Sequence, residues 1–156
     1  MDDRTTKYAD TLAKMIRKET VSTGCDPTDP KFIEFRDMLE EWFPNIFASC
    51  EVKMFPDGLV LHWKGKDSNR RDPVIFMNHH DVVEASGKWT HEPFSGDIDG
   101  EKIWGRGTLD DKGGTWPIVH PCHPGCPCPI FSRRLYLPRM AHGSTYRRLP
   151  PRRGGS

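Results

Sequence analysis

Residues 73–79, with the sequence PVIFMNH, decide the fold that we expect for this chain. The run is short and apolar and contains β-branched residues, which is typical of a buried central strand in an α/β sheet. Its carboxyl end carries His79, followed by His80 and Asp81. Ligands of open α/β sheets gather outside the carboxyl ends of the strands. The sequence therefore predicts an α/β domain with its chemistry at this strand end.

The residues before this strand predict two helices and a hairpin. Apolar residues at helical spacing predict an amphipathic helix over residues 5–19. A second helix is expected over residues 30–42, with Asp29 as its N-cap and a proline at its first position. Residues 51–55 and 59–63 alternate in polarity and are joined by Pro-Asp-Gly, which predicts a β-hairpin.

The spacing of His79 and Asp81 suits a metal ligand and the carboxylate that orients it. In an extended segment, residues two apart point to the same side, and a ligating histidine usually donates its other N–H to a carboxylate or a carbonyl group. The alternative is a strand end with a surface histidine pair and an aspartate that caps a helix. Taken alone, the short motif favours this alternative.

Residues 105–114, GRGTLDDKGG, contain four glycines and two adjacent acids, so they predict neither a helix nor a strand. A short hairpin over residues 97–104 is expected to lead into them. One of the two carboxylates could bridge a pair of cations. A flexible charged surface loop is the equally favoured alternative, whereas a phosphate loop is less favoured because the G-x-x-x-x-G-K-S/T spacing is missing.

Taken together, three motifs resemble the M20 metallopeptidases, especially the carboxypeptidase S and N-acyl amino acid hydrolase branch. They are residues 73–83, 89–96 and 103–114, in the order and spacing of that family. The resemblance extends over about residues 5–116. It implies an α/β fold of the zinc-dependent exopeptidase type, present in its first portion only.

The resemblance also implies the roles of three residues. His79 would bind one metal ion, Asp81 would be the catalytic carboxylate behind it, and Asp110 would bridge two zinc ions, with cobalt or manganese as alternative metals. The Asp110–Asp111 peptide bond would be cis. The implied reaction is hydrolysis of a small peptide or an N-acyl amino acid. His80 and His91 are assigned to no metal and are expected to be surface histidines.

The composition changes near residue 116. All 22 acidic residues precede Thr115, whereas residues 116–156 contain seven arginines, no acidic residue and eight of the 14 prolines. We therefore predict a partial catalytic domain over residues 1–116 and a Pro/Arg/Cys-rich tail over 117–156 that is disordered or derived from a shifted reading frame. No helix is expected after Trp116, because proline breaks helices.

Two alternatives assign a function to the protein without catalysis. His120, His123 and the cysteines Cys122, Cys126 and Cys128 could form a small zinc knuckle beside arginines that contact nucleic acid, but their spacing does not match the common C-x2-C pairs. The second alternative is a fragment that binds a partner, such as an intact homologue. Nucleic-acid binding is less favoured than the interpretation as a metallopeptidase fragment.

The resemblance leaves parts of the family site without a counterpart. This sequence has no counterpart of the family's two consecutive glutamates, of which the first is the general base and the second is a ligand. It also lacks the further acidic ligand, the distal histidine and the region through which family members dimerise. Two candidate ligands remain, whereas stable zinc sites have three or four. We therefore expect a truncated and inactive chain that binds zinc poorly. Helices 5–19 and 30–42 and strand 74–79 are expected to expose apolar residues.

Composition also bears on the cellular location. No apolar run approaches the roughly 18 residues of a membrane span, and the first residues lack the order of a secretory signal. Cys25 and Cys50 do not form a disulfide framework of the kind found in small secreted domains. A cytoplasmic protein with reduced thiols and no membrane contact is expected.

Overall fold

The structure is a computed structural model, and it describes residues 3–24, 26, 28–64, 74–119 and 133–138. Four helices and six strands lie in these residues. In chain order they are α1 (Asp3–Arg17), α2 (Pro30–Trp42), α3 (Pro44–Ser49), β1 (Glu51–Phe55), β2 (Gly58–Trp63), β3 (Val74–Met77), β4 (Ile98–Asp99), β5 (Lys102–Ile103), α4 (Lys112–Val119) and β6 (Arg133–Pro138).

The first two helices confirm the predicted pattern. α1 covers most of the expected range but ends two residues earlier, at Arg17. α2 has the predicted bounds, and the side chain of Asp29 accepts a hydrogen bond from the main-chain N–H of Lys31 at 3.2 Å. This cap satisfies one of the N–H groups that a helix start leaves without a partner inside the helix.

The larger sheet has the strand order β1-β2-β6-β3. β1 and β2 form the predicted antiparallel hairpin, β6 runs antiparallel to β2, and β3 runs parallel to β6. β4 and β5 form a separate two-stranded hairpin, as predicted. The mixed helix and strand architecture confirms the predicted α/β class.

Strand β3 differs from the prediction in its burial. Its four apolar residues are between 37% and 63% exposed, so the prediction of a buried central strand is wrong. The physical reason is its position: among the described strands only β6 pairs with β3, which leaves β3 at the edge of the sheet. The expectation of exposed apolar residues is confirmed for this strand. It is wrong for the two helices, whose inward-facing apolar residues are buried: Met15, Ile16, Phe32, Phe35 and Leu39.

The main core lies between the helices and strand β2. Its buried members are Met15, Phe35, Leu39, Phe43, Ile46, Leu59, Leu61 and Val119. α1 and α4 also pack against each other. Helix α4 begins at Lys112, inside residues 105–114, so the prediction that this stretch forms no helix is wrong for its last three residues.

Two elements enter the segment predicted as a tail. α4 continues to Val119, so the prediction that no helix follows Trp116 is wrong. Pro117 is the sixth of the eight residues of this helix and removes one of its hydrogen bonds, while the burial of Val119 in the core favours the helix. Strand β6 also lies in this segment, and the disordered or frameshift-derived tail stays a prediction. The domain boundary at residue 116 stays a prediction.

Candidate metal centre

Three residues that the sequence singled out meet at the end of β3. His79 lies two residues after the strand, and its Nε2 is 3.0 Å from Oδ1 of Asp110 in the loop before α4. Its Nδ1–H donates to the main-chain carbonyl oxygen of Asp81 at 3.0 Å and lies 3.4 Å from Oδ1 of Asp81. The imidazole therefore lies between two carboxylates.

The two carboxylates differ in exposure. The Asp81 side chain is 6% exposed, whereas that of Asp110 is 91% exposed. Asp81 thus lies behind the ring and Asp110 lies on the side open to solvent. This is the arrangement in which a buried carboxylate orients a ligating histidine and directs its other nitrogen toward an incoming ion.

The charge of the His79 imidazole follows from its two carboxylate neighbours. The hydrogen bond with Asp81 and, to a smaller extent, that with Asp110 outweigh burial and raise the pKa of His79 to about 9. The imidazole is therefore protonated at neutral pH, and Nε2–H donates to Asp110. A metal ion at this place would replace the Nε2 proton, since metal binding to histidine releases a proton.

His79 and Asp110 are residue types that bind zinc, but two ligands are fewer than a stable zinc site has. Zinc binds imidazole nitrogen and carboxylate oxygen at about 2.0–2.2 Å, so two ligands of a tetrahedral ion lie about 3.4 Å apart. The observed 3.0 Å between His79 and Asp110 needs only a small opening to reach that separation. Across the described ranges, however, no three histidine, cysteine or acidic residues lie together as a metal site.

The loop that carries Asp110 is held by a residue that the sequence analysis did not single out. Asn78 donates through Nδ2 to the carbonyl oxygen of Asp111 at 2.7 Å, and its Oδ1 accepts from the hydroxyl group of Thr115 at 2.6 Å. The Asp110–Asp111 peptide bond is cis, as the resemblance implied. The signal for Asn78 was its position as the first polar residue after the apolar strand.

Lys112 is a second residue whose role the sequence analysis did not assign. Its side chain is fully buried, and Nζ donates to the carbonyl oxygens of Met15 at 2.9 Å and Lys18 at 2.6 Å. These are carbonyl groups at the carboxyl end of α1, which attracts cations. Burial lowers the pKa of Lys112 to about 7. The lysine thus ties the metal loop to α1.

His80 corrects a prediction. It is 1% exposed, and its ring stacks on Phe35 with centroids 5.1 Å apart and contacts Phe32 edge to face. Its ring points into the apolar layer under α2, so the prediction of a surface histidine is wrong. His91 is partly exposed, with Nδ1 at 3.1 Å from Asp97 and its ring against Trp104.

Replacement of His80 by leucine is expected to flatten the acid dependence of stability. Neither ring nitrogen of His80 has a hydrogen-bond partner among the described residues, and burial lowers its pKa to about 3. In the unfolded chain His80 takes up a proton near pH 6.5, whereas in the folded chain it stays neutral at that pH. The free energy of unfolding of the wild type therefore falls by about 1.4 kcal/mol for each pH unit below pH 6.5. Urea unfolding should show that the free energy of unfolding falls, from pH 7 to pH 5, by about 2 kcal/mol more in the wild type than in the variant.

The matched control for this prediction is His91→Leu. His91 is partly exposed and not buried among apolar rings, so the same chemical change there should leave the change in stability between pH 7 and pH 5 close to that of the wild type. An acid dependence of His80→Leu identical to that of the wild type would contradict the buried position of His80.

The comparison with family models bears on the same segment. Residues 75–120 match the model of peptidase family M20/M25/M40. This range contains His79, Asp81 and Asp110. The matched segment belongs to the M20 peptidase family. The chain is therefore related to a family of hydrolases, and its carboxypeptidase S-like resemblance is confirmed.

Two curated relatives show the extent of the similarity. It is 39% identical over 120 residues to the probable carboxypeptidase S-like 2 of Dictyostelium discoideum, covering 72% of this chain and 23% of that protein. It is 34% identical over 111 residues to the N-fatty-acyl-amino acid synthase/hydrolase PM20D1 of Xenopus tropicalis, covering 68% and 22%. The chain thus spans less than a quarter of these relatives.

Solved structures support the fold of this chain. The di-peptidase Dug1p of Saccharomyces cerevisiae superposes with a TM-score of 0.66 at 18% identity, covering 86% of this chain and 32% of that one. An M20 family metallo-carboxypeptidase of Sulfolobus solfataricus gives 0.63 at 20% identity, covering 88% and 31%. These likenesses confirm the partial zinc-exopeptidase-like α/β fold.

Several other predictions concern residues outside the described part of the chain or features of the whole chain. His120, His123, Cys122, Cys126 and Cys128, the candidate zinc knuckle, and Cys25 lie outside the described residues. Cys50 is a free thiol. None of the described helices is long and apolar enough to cross a membrane.

Proposed function

We propose that His79 and Asp110 form part of a zinc centre of the M20 type and that Asp81 orients His79. The observation that carries this proposal is the position of the His79 ring, with Nε2 at 3.0 Å from Asp110 and Nδ1 at 3.4 Å from Asp81. One nitrogen thus faces a buried carboxylate and the other faces an exposed one. The intact family site would hold two zinc ions, and cobalt or manganese suits the same nitrogen and oxygen donors.

The proposed reaction is hydrolysis of an amide bond in a small peptide or an N-acyl amino acid. The names of the relatives support this class, since one is a probable carboxypeptidase and another an N-fatty-acyl-amino acid synthase/hydrolase. When bound, zinc in such a site polarises the substrate carbonyl group and activates the attacking water. The substrate of this chain is proposed as a class and not as one compound.

Each residue of the site has a separate task in this proposal. Asp81 and its carbonyl oxygen hold the proton at Nδ1 of His79, which directs Nε2 to the open side. Asp110 supplies the exposed carboxylate on that side. Asn78 and Lys112 fix the loop that carries Asp110, the first through Asp111 and the second through the end of α1.

We further propose that this chain alone binds zinc weakly and does not turn over substrate. Its described part brings two donors together, whereas zinc sites of high affinity have three or four protein ligands. A third donor or a general base would have to approach Asp110 from the solvent side.

The test is the release of free amino acid from N-acetyl-methionine and from a dipeptide by the purified chain in excess zinc. We expect no release above that of His79→Ala. Release that disappears in His79→Ala would support the metal centre and contradict the proposed inactivity. Release of equal size in both proteins would contradict the roles assigned to His79 and to the metal.

A further inference from the structure

An open cleft of about 410 Å³ lies between the β4–β5 hairpin and the loop that carries Asp110. Its volume falls in the range of about 300–1,000 Å³ that is usual for small-molecule sites. Asp110 is part of its wall. The cleft is therefore continuous with the candidate metal centre.

The wall of this cleft is largely apolar. Trp89, Ile103, Trp104 and Leu109 all contribute to it. Leu109 directly precedes Asp110 in the chain and is 91% exposed. Single exposed leucines are common on protein surfaces, but this one shares a concave surface with two indole rings. The cleft thus offers apolar area that the described fold itself leaves in contact with water.

The cleft also carries positive charge. Lys102 and Arg106 belong to its wall and outnumber its one acidic residue, Asp110. The guanidinium group of Arg106 lies 4.9 Å from the centre of the Trp89 ring and donates to the carbonyl oxygen of Glu84 at 3.3 Å. These contacts hold the arginine against the apolar wall. A ligand that matches this surface combines an apolar body with a negative charge.

We infer that this cleft binds the acyl chain of an N-acyl amino acid, whose carboxylate is matched by Lys102 and Arg106. The identity of the amide head group rests on the proposed function, but the contact between acyl chain and cleft needs no metal. Removing a methylene group from water favours binding by up to about fourfold. Because the cleft is open, we expect the affinity to rise about two- to fourfold for each added methylene group.

The experiment is a calorimetric titration of the metal-free chain with acetylglycine, hexanoylglycine and decanoylglycine below their aggregation limits. It is repeated with Leu109→Ser and with Ile75→Ser. Ile75 is a matched control because it is an exposed apolar residue on β3, at 57%, and is not part of the cleft. Neither side chain is buried, so neither replacement is expected to disturb the fold.

We expect the affinity to rise with acyl length in the wild type and in Ile75→Ser. In Leu109→Ser the rise in affinity from acetyl to decanoyl should be at least threefold smaller. An affinity that does not depend on acyl length, or that depends on it equally in all three proteins, would overturn the inference. Because the titration contains no zinc, a failure of the proposed metal centre leaves its outcome unchanged. Zinc binding at His79 combined with no acyl-length dependence would overturn the inference that the cleft binds an acyl chain and would leave the proposed metal centre in place.

Discussion

Replacing Gly113 with alanine is expected to lower the free energy of unfolding by about 3 kcal/mol or more, the upper range for overpacking a closed site. Gly113 lies in the first turn of α4, next to Lys112. A Cβ atom there would overlap the main-chain carbonyl oxygen of Thr108, with Leu12 also in contact. A carbonyl group of the backbone cannot move aside as the end of a flexible side chain can. The substitution should therefore displace the loop that carries Asp110.

The matched control is Gly24→Ala, since a Cβ atom at Gly24 would meet no atom within 4 Å. Urea unfolding at neutral pH measures both variants against the wild type. We expect Gly24→Ala to change the unfolding free energy by less than about 0.5 kcal/mol, as is usual for surface substitutions. Equal stability of the two variants would show that Thr108 and Gly113 are not packed as described.

Local sequence signals were sufficient for the elements that place His79. Asp29 followed by proline marked the start of α2, and Pro-Asp-Gly at residues 56–58 marked the first hairpin. The apolar run ending at residue 79 placed His79 beyond β3. Each of these signals acts over a few residues of chain, so a single sequence is enough to read it.

The position of His80 could not be read in this way. Alternation in a strand assigns side chains to two faces, but β3 ends at Met77 and residues 78–80 are not extended in a strand. The direction of the His80 ring is set by Phe32 and Phe35 of α2, which are distant in sequence. Its burial is therefore a property of the packed fold.

The same holds for Lys112 and for the end of α4. The acceptors of Lys112 are carbonyl groups 97 and 94 residues earlier in the chain, at Met15 and Lys18. Pro117 predicted a break by a local rule, but the burial of Val119 against the core outweighs the lost hydrogen bond. Contacts between residues so far apart in the sequence leave no signature in a local sequence pattern.

Replacing His79 with alanine is expected to abolish zinc binding by this chain, because it removes one of the two donors that meet at the site. Asp81→Asn should have a smaller effect. It keeps the size of the side chain but removes the charge that faces Nδ1 at 3.4 Å. Loss of such an orienting group usually lowers metal affinity by about 10- to 100-fold. The two variants thus separate a ligand from the residue that positions it.

The most direct test of a metal centre at His79 and Asp110 is a competition titration with a zinc-sensitive dye, after alkylation of the cysteines so that thiols do not bind the ion. We expect weak binding to one site in the wild type and in the His91→Ala control. Binding should be about 10- to 100-fold weaker in Asp81→Asn and absent in His79→Ala and Asp110→Asn. Equal zinc affinity of the wild type and His79→Ala, including no binding by either, would contradict such a metal centre.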